Sequence, residues 1–311
     1  MEIRGVAIED TFAEAFTMRV ARVVITAKTA RWARVAALEM TGFATSVIAC
    51  KCEAAIEREL EAAETPDGRP GVSALMFTLD AESLEKRLVE RIGQTVLTCA
   101  TANCFDGLPD AATRARAGGA LRVFGDGFQI SKVVGGERYW RVPVMEGECL
   151  LQESFGVQKG VGGGNFLILA EDADSALVAA EAAVEAIEGM PGVILPFPGG
   201  VVRSGSKVGA RRYKSLVAST NDAYCPTLRP LTATSLPDGV NAVLELVLDG
   251  LDADSIARAM RAGIDAACRP GVRAITAGNY GGKLGPHHFH LRRIMGEAPV
   301  APAAAASGAA S

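Results

Sequence analysis

The chain has 311 residues, of which 49% are hydrophobic and 22% charged, with a net charge of −4. That size allows one large or two ordinary domains with a real apolar core. Acids and bases alternate without a basic stripe, which excludes an ordinary nucleic-acid binder. No apolar run reaches the length of a bilayer span and the N-terminus lacks a secretory pattern, so a soluble, cytoplasmic protein is expected, with no membrane association.

Residues 8–16 hold Phe12 and Phe16 one helical turn apart, and a short helix from near Asp10 is expected. Its acids Glu9, Asp10 and Glu14 are more simply solvated than site-lining. Residues 20–26 are β-branched and apolar and predict a strand. Thr29 can cap a helix whose apolar positions include Trp32, Val35 and Ala36, and Gly42 ends it. A second strand is expected over residues 43–49 and an exposed helix over 53–64. Residues 65–71 are rich in Pro and Gly and predict a loop. A strand over 72–78 follows, then a helix over 83–92 with Leu84, Leu88 and Ile92 in one stripe, then a strand over 95–98. Residues 121–145 read as a β-meander with glycine turns. The lobe boundary is placed there, giving an N-terminal lobe over 1–145 and a C-terminal lobe over 146–295. Residues 296–311, rich in Ala and Pro, are expected to be a disordered tail or tether.

The C-terminal lobe contains an internal repeat, residues 160–209 and 240–285. Each copy reads as loop, strand, helix, turn, strand, loop. Asn165 registers with Asn241, Asp174-Ser175 with Asp254-Ser255, Met190-Pro191-Gly192 with Arg269-Pro270-Gly271, and Ser206-Lys207-Val208-Gly209 with Gly282-Lys283-Leu284-Gly285. In the first helix Leu177, Val184 and Ile187 point inward; in the second, Ile256, Met260 and Ile264 do. A doubled βαβ unit predicts an antiparallel sheet covered on one face by two helices, and the N-terminal half repeats that order, so the fold class is α+β.

One residue breaks the pattern. Glu245 interrupts the apolar run of residues 242–248 and, at period two, shares a face with Val243 and Val247. A carboxylate there is costly unless neutral or paired, and burial raises its pKa into the range of general acid/base chemistry. The competing reading is a strand edge open to solvent, or a pair with Lys207 or Lys283. The second feature is a set of glycine loops flanking strand ends: Gly162-Gly163-Gly164-Asn165, Pro198-Gly199-Gly200, Ser204 to Gly209, and Gly278-Asn279-Tyr280-Gly281-Gly282-Lys283. Backbone N–H groups and lysines in such loops suit anionic ligands, although tight turns between packed strands would look the same. Neither a P-loop nor a dinucleotide fingerprint is present. The candidate binding residues are Gly163, Gly164, Asn165, Gly199, Gly200, Ser206, Lys207, Asn279, Tyr280 and Lys283.

The three histidines, His287, His288 and His290, are close in sequence but lack a neighbouring acid or cysteine, and the seven cysteines are odd in number and scattered. They predict no disulfide framework and no metal centre. No G-x-S-x-G elbow occurs, so a serine hydrolase is not expected.

The blocks IEDTFAEAF, MEGECLLQESFGVQKGVGGGNFLI, PFPGGVVRSGSKVGARRYKSLVASTN, PDGVNAVLELVLDG and AGNYGGKLGPHHFHL resemble the formylmethanofuran–tetrahydromethanopterin N-formyltransferases, in order, over about residues 1–295. The resemblance implies two ferredoxin-like lobes and a homo-oligomer, typically a tetramer. It implies formyl transfer between N5 of a reduced methanopterin and the amine of a methanofuran-type carrier. Both carriers are substrates, and no prosthetic group is needed. In that family the glutamate of the strand matching VLELVL is the proposed acid/base, here Glu245. Lys159, Lys207, Lys214 and Lys283 would meet the anionic groups of the carriers. The Ala- and Arg-rich composition looks like the version in bacteria that oxidise one-carbon compounds, with formyl running toward the furan in formaldehyde oxidation, and with the chain serving as one subunit of a formyltransferase/hydrolase complex. The alternative is a non-catalytic, carrier-binding scaffold subunit of that complex.

Overall fold

The computed structural model describes residues 1–296; the expected Ala/Pro tail lies, but for Gly296, outside the described residues. Two long antiparallel strands organise the molecule, Phe12–Thr26 and Phe155–Ala170. They pair where they cross, from Gln158 opposite Val20 to Gly162 opposite Phe16. Each runs through both lobes, so one hydrogen-bonded sheet is shared.

In the first lobe, Phe12–Thr26 pairs with Gly71–Thr78 and with Asn103–Asp106, and Gly71–Thr78 pairs with Glu53–Leu60. Helices Ala30–Thr41 and Ala81–Arg91 contribute Ala33, Ala36, Ala37, Met40, Leu84 and Leu88 to one buried core with these strands. Alanine at the contact lets the first helix approach closely. Thr29 caps it through a bond from Trp32 N, as its sequence predicts.

In the second lobe, Phe155–Ala170 is flanked by Ala242–Gly250 and Val272–Thr276, both antiparallel to it. Helices Ala173–Ile187 and Ala253–Ala267 cover one face, burying Ala180, Ile187, Ile256, Met260 and Ile264 against Phe166, Ile168, Leu246 and Leu248. The repeat extends to the caps: Asp172 accepts from Ser175 N at 2.8 Å and Asp252 from Ser255 N at 2.7 Å. The division at residue 145 is crossed in both directions. Val6, Ile8, Ala13 and Ala15 pack in the second core, while Cys149, Leu151 and Phe155 pack in the first. Among the described residues no helix is long and apolar enough to cross a membrane.

Several expected elements are corrected. No helix forms over residues 8–16: one strand ends at Ile8 and another begins at Phe12, because the spacing of Phe12 and Phe16 fits two strand periods as well as one helical turn. Residues 53–64 are strand over Glu53–Leu60 rather than an exposed helix. Pairing with Gly71–Thr78 overrides their helical propensity, and Glu57 is buried under Arg22 and Ser73. Residues 43–49 hold the short helix Val47–Cys50, capped by Ser46, instead of a strand. Residues 95–98 belong to a π-helical turn and its exit, the strand coming later at Asn103–Asp106. Residues 121–124 are helical, so the meander is a hairpin, Ile130–Val134 and Glu137–Val144, joined by Gly135 and Gly136 and extended by Gly147–Gln152. The glycines at 160–164 are not a loop, because they lie within Phe155–Ala170.

Candidate active site

Glu245 lies in a central strand, not at an edge. Its backbone is opposite Leu167 on one side and bridged to Val202 on the other. Even-numbered Leu244, Leu246 and Leu248 face the helices. Glu245 therefore faces the other way, on the side where Val243 packs with Leu167, Leu169, Leu236 and Val240. The side chain is half-buried, and burial alone pushes its carboxyl up to about 7. Neither pairing that the sequence allows exists: Lys207 pairs with Asp222, and Lys283 is exposed without an ion pair among the described residues. A half-buried carboxyl without a cation, poised near neutral pH, is suited to carry a proton in either direction.

Two loops meet beside it. The first leaves Val202 and carries Ser206; the second leaves Thr276 and carries Tyr280. Burial, then the nearby Glu245 charge, raise the pKa of the Tyr280 hydroxyl; the Ser206 side chain opposes them, and Glu14 adds a smaller push upward. Its ring lies 6.2 Å from that of Phe16 and retains 36% exposure. Tyr280 and Ser206 are thus the polar groups near Glu245, and Tyr280 keeps one side open to solvent.

The second loop is held by two buried polar side chains. Asn165 Oδ1 accepts from Gly278 N at 2.6 Å, and its Nδ2 donates to Gly163 O and Gly278 O. Glu14, 1% exposed, takes four backbone N–H donors. Its Oε2 accepts from Tyr280 and Gly282 at 2.7 and 2.8 Å, and its Oε1 from Leu284 and Gly285 at 2.5 and 2.7 Å. Burial alone would raise this carboxyl, but the four donors outweigh it and hold it at about 2. Sequence reasoning missed Glu14 by putting it on a solvated helix. The available signal was its position between Ala13 and Ala15 in a run that also alternates at period two.

The other binding candidates have structural positions. Gly163 N donates to Asp249, and a Cβ on Gly164 would lie 2.5 Å from Ile256 Cγ2. Gly199 and Gly200 line a separate cleft of about 860 Å³ between the lobes, with Phe43, Glu57 and Phe197. Asn279 donates to Phe12 O and Thr11 Oγ1, fixing the loop base. The histidines lie in His287–His290, paired with Phe12–Ala15; His287 bonds Thr17 and His288 bonds Gly285 O. All seven cysteines are free thiols, and burial pushes Cys149 up to about 12.

The family model described as formylmethanofuran-tetrahydromethanopterin formyltransferase matches residues 1–144, and that of its proximal lobe matches 147–294. The formylmethanofuran–tetrahydromethanopterin formyltransferase of Methylococcus capsulatus is 61% identical over 299 residues, covering 95% of this chain and all of the relative. The solved formyltransferase from Methanosarcina barkeri superposes with a TM-score of 0.91 at 52% identity, over 94% of this chain and 100% of that one. The formyltransferase/hydrolase complex from Methylorubrum extorquens, solved with methylofuran, contains a chain that superposes with a TM-score of 0.92 at 48% identity, over 96% and 99%. With both lobes matched in order and nearly the whole length covered, the chain is an enzyme and belongs to the formylmethanofuran–tetrahydromethanopterin formyltransferase family.

Proposed function

We propose that this enzyme transfers formyl between N5 of a reduced methanopterin and the amine of a methanofuran-type carrier, with Glu245 as proton shuttle. The observation that carries the mechanism is the half-buried, unpaired Glu245 carboxyl, raised to about 7, beside Tyr280 and Ser206. The furan amine attacks the formyl carbon, a new C–N bond forms, and the carbonyl becomes an oxyanion. Ionised Glu245 takes the proton of the attacking nitrogen and returns it to N5 as the old C–N bond breaks. Protons balance without a further acid or base. The two carriers must be held together, so positioning supplies much of the rate. Exposed Lys159, Lys214 and Lys283 meet the carriers' anionic groups, whereas Lys207 is engaged with Asp222.

Flux runs toward the formyl-furan in formaldehyde oxidation. The chain acts in the cytoplasm as a homotetramer and as a subunit of a formyltransferase/hydrolase complex. Support for the last point is its likeness to the chain in the Methylorubrum extorquens complex. The test is formyl transfer by the purified protein and by Glu245→Gln: a loss of about a hundredfold or more in kcat with folding intact supports the reading, and near-normal turnover sinks it.

A further inference from the structure

We propose that Glu14 is a positioning residue for the transfer: by gathering the backbone N–H groups of residues 280, 282, 284 and 285 it sets the Tyr280 hydroxyl beside Glu245. The inference rests on the acid/base reading of Glu245 and adds a residue to it.

The loop after Thr276 has no ladder of its own. The strand ends there, and the next begins at His287. Its N–H groups would otherwise go unpaired, which costs roughly 1–3 kcal/mol for each buried one. Glu14 replaces the ladder with two oxygens, each accepting two donors. The chain must turn sharply to present four N–H groups within six residues to one carboxylate. Gly281 and Gly282 provide this with φ of 73° and 70°, and Gly285 lets the backbone run where a Cβ would lie 2.3 Å from Ala15 O. Asn165 clamps the same loop at Gly278. Tyr280 lies between the two clamps, its amide held by Glu14, with Ser206 near its hydroxyl. A fixed tyrosine hydroxyl here can donate to the oxyanion as it forms, without rearrangement at the moment of reaction.

The geometry asks for a glutamate. Glutamine would replace one oxygen by an NH₂ facing two N–H donors, leaving both without an acceptor. Aspartate, one methylene shorter, cannot reach both donor pairs. Both variants should loosen the loop, and neither should rescue the other.

The test is a double-mutant cycle on the full-length protein, with kcat read on folded material over the pH range. Glu14→Gln and Tyr280→Phe should each lower kcat by about tenfold, and the double variant should fall no further than the worse single one. Gly282→Ala, strained at positive φ, should reproduce the loss with Glu14 intact and supplies the same test where Glu14→Gln fails to fold. A readout free of activity is tyrosinate absorbance, taken as the difference from Tyr280→Phe. Removing the Glu14 charge should bring the Tyr280 step to lower pH. Wild-type kcat in folded Glu14→Gln, multiplying losses in the double variant, or an unmoved tyrosinate step would overturn the proposal. Failure of Glu245→Gln to lower kcat would instead sink the shuttle while leaving this cycle readable.

Discussion

Val202 and Glu245 exchange both backbone hydrogen bonds, 2.7 Å from Val202 N to Glu245 O and 2.9 Å in the reverse direction. Leu167 lies opposite Glu245 on the other side. The acid's main chain is therefore tied from both sides, while its carboxyl has no fixed partner. Val202, 6% exposed, starts the loop that brings Ser206 to Tyr280. One bridge thus sets the distance between the acid and the loop that borders it.

A carboxyl at about 7 titrates near neutral pH. Acting first as base on the furan amine, Glu245 must begin ionised. The prediction is that kcat/KM for formyl transfer toward the furan rises with pH through about 7, and that this limb disappears in Glu245→Gln while limbs belonging to the substrates persist. A pH profile with the limb unchanged in the variant would assign it elsewhere.

The same group should lower stability. Its folded pKa lies above its ordinary value of 4.5, so its contribution is fully present below about 4.5 and is lost as pH rises through about 7. At pH 8 Glu245→Gln should be more stable than the natural chain by about 1 kcal/mol, a figure discounted because the side chain is only half-buried. The two should melt together at pH 4. Thermal unfolding at both pH values checks this, and a variant that melts lower at pH 8 contradicts it.

Glycines at 162 and 164 look like a ligand loop in sequence, yet both lie within a strand, Gly164 against a helix and Gly162 against a neighbouring strand. A Cβ at Gly164 meets the branched Ile256 side chain at 2.5 Å, and one at Gly162 meets the flexible Met18 Sδ at 2.1 Å. Gly164→Ala should therefore destabilise by about 1–3 kcal/mol, more than Gly162→Ala, with KM for both carriers unchanged. A raised KM with normal melting would restore Gly164 to the binding surface.

The repeat in the second lobe was legible because both helices carry an apolar stripe and the strands between them are short apolar runs. Glu245 was legible for the same reason, as the one acid in such a run. The first lobe was harder. Alanine and glutamate in residues 53–64 favour helix locally, and only the partner strand and the buried Arg22–Glu57 pair make them a strand. The local signal for Glu14, an acid between two alanines, was ambiguous, since the spacing of its neighbours fits two periods and its four donors lie about 270 residues away. Glycine was ambiguous throughout: the residue that lets backbone approach a ligand also lets backbone approach backbone.

Asp249 and half-buried Glu53 are neighbouring acids from the two lobes. Asp249 is fully buried; its Oδ1 accepts from Gly163 N at 2.9 Å, and its Oδ2, beside Glu53, has no donor among the described residues. Burial, then the neighbouring Glu53, pushes Asp249 well above the ordinary carboxylate range, and burial also raises Glu53. Two neighbouring carboxyls disfavour the doubly ionised form there, and the prediction is that they share a proton. Raised folded-state values mean stability is full below about pH 4 and declines as pH rises toward the pair's own ionisation. Asp249→Asn supplies the donor permanently: Nδ2 to Glu53, Oδ1 still to Gly163 N. It should stabilise the protein at pH 8 by about 1–3 kcal/mol and flatten the dependence of Tm on pH between about 5 and 8. A Tm for Asp249→Asn that is lower at pH 8, with the slope unchanged, would show that no proton is shared.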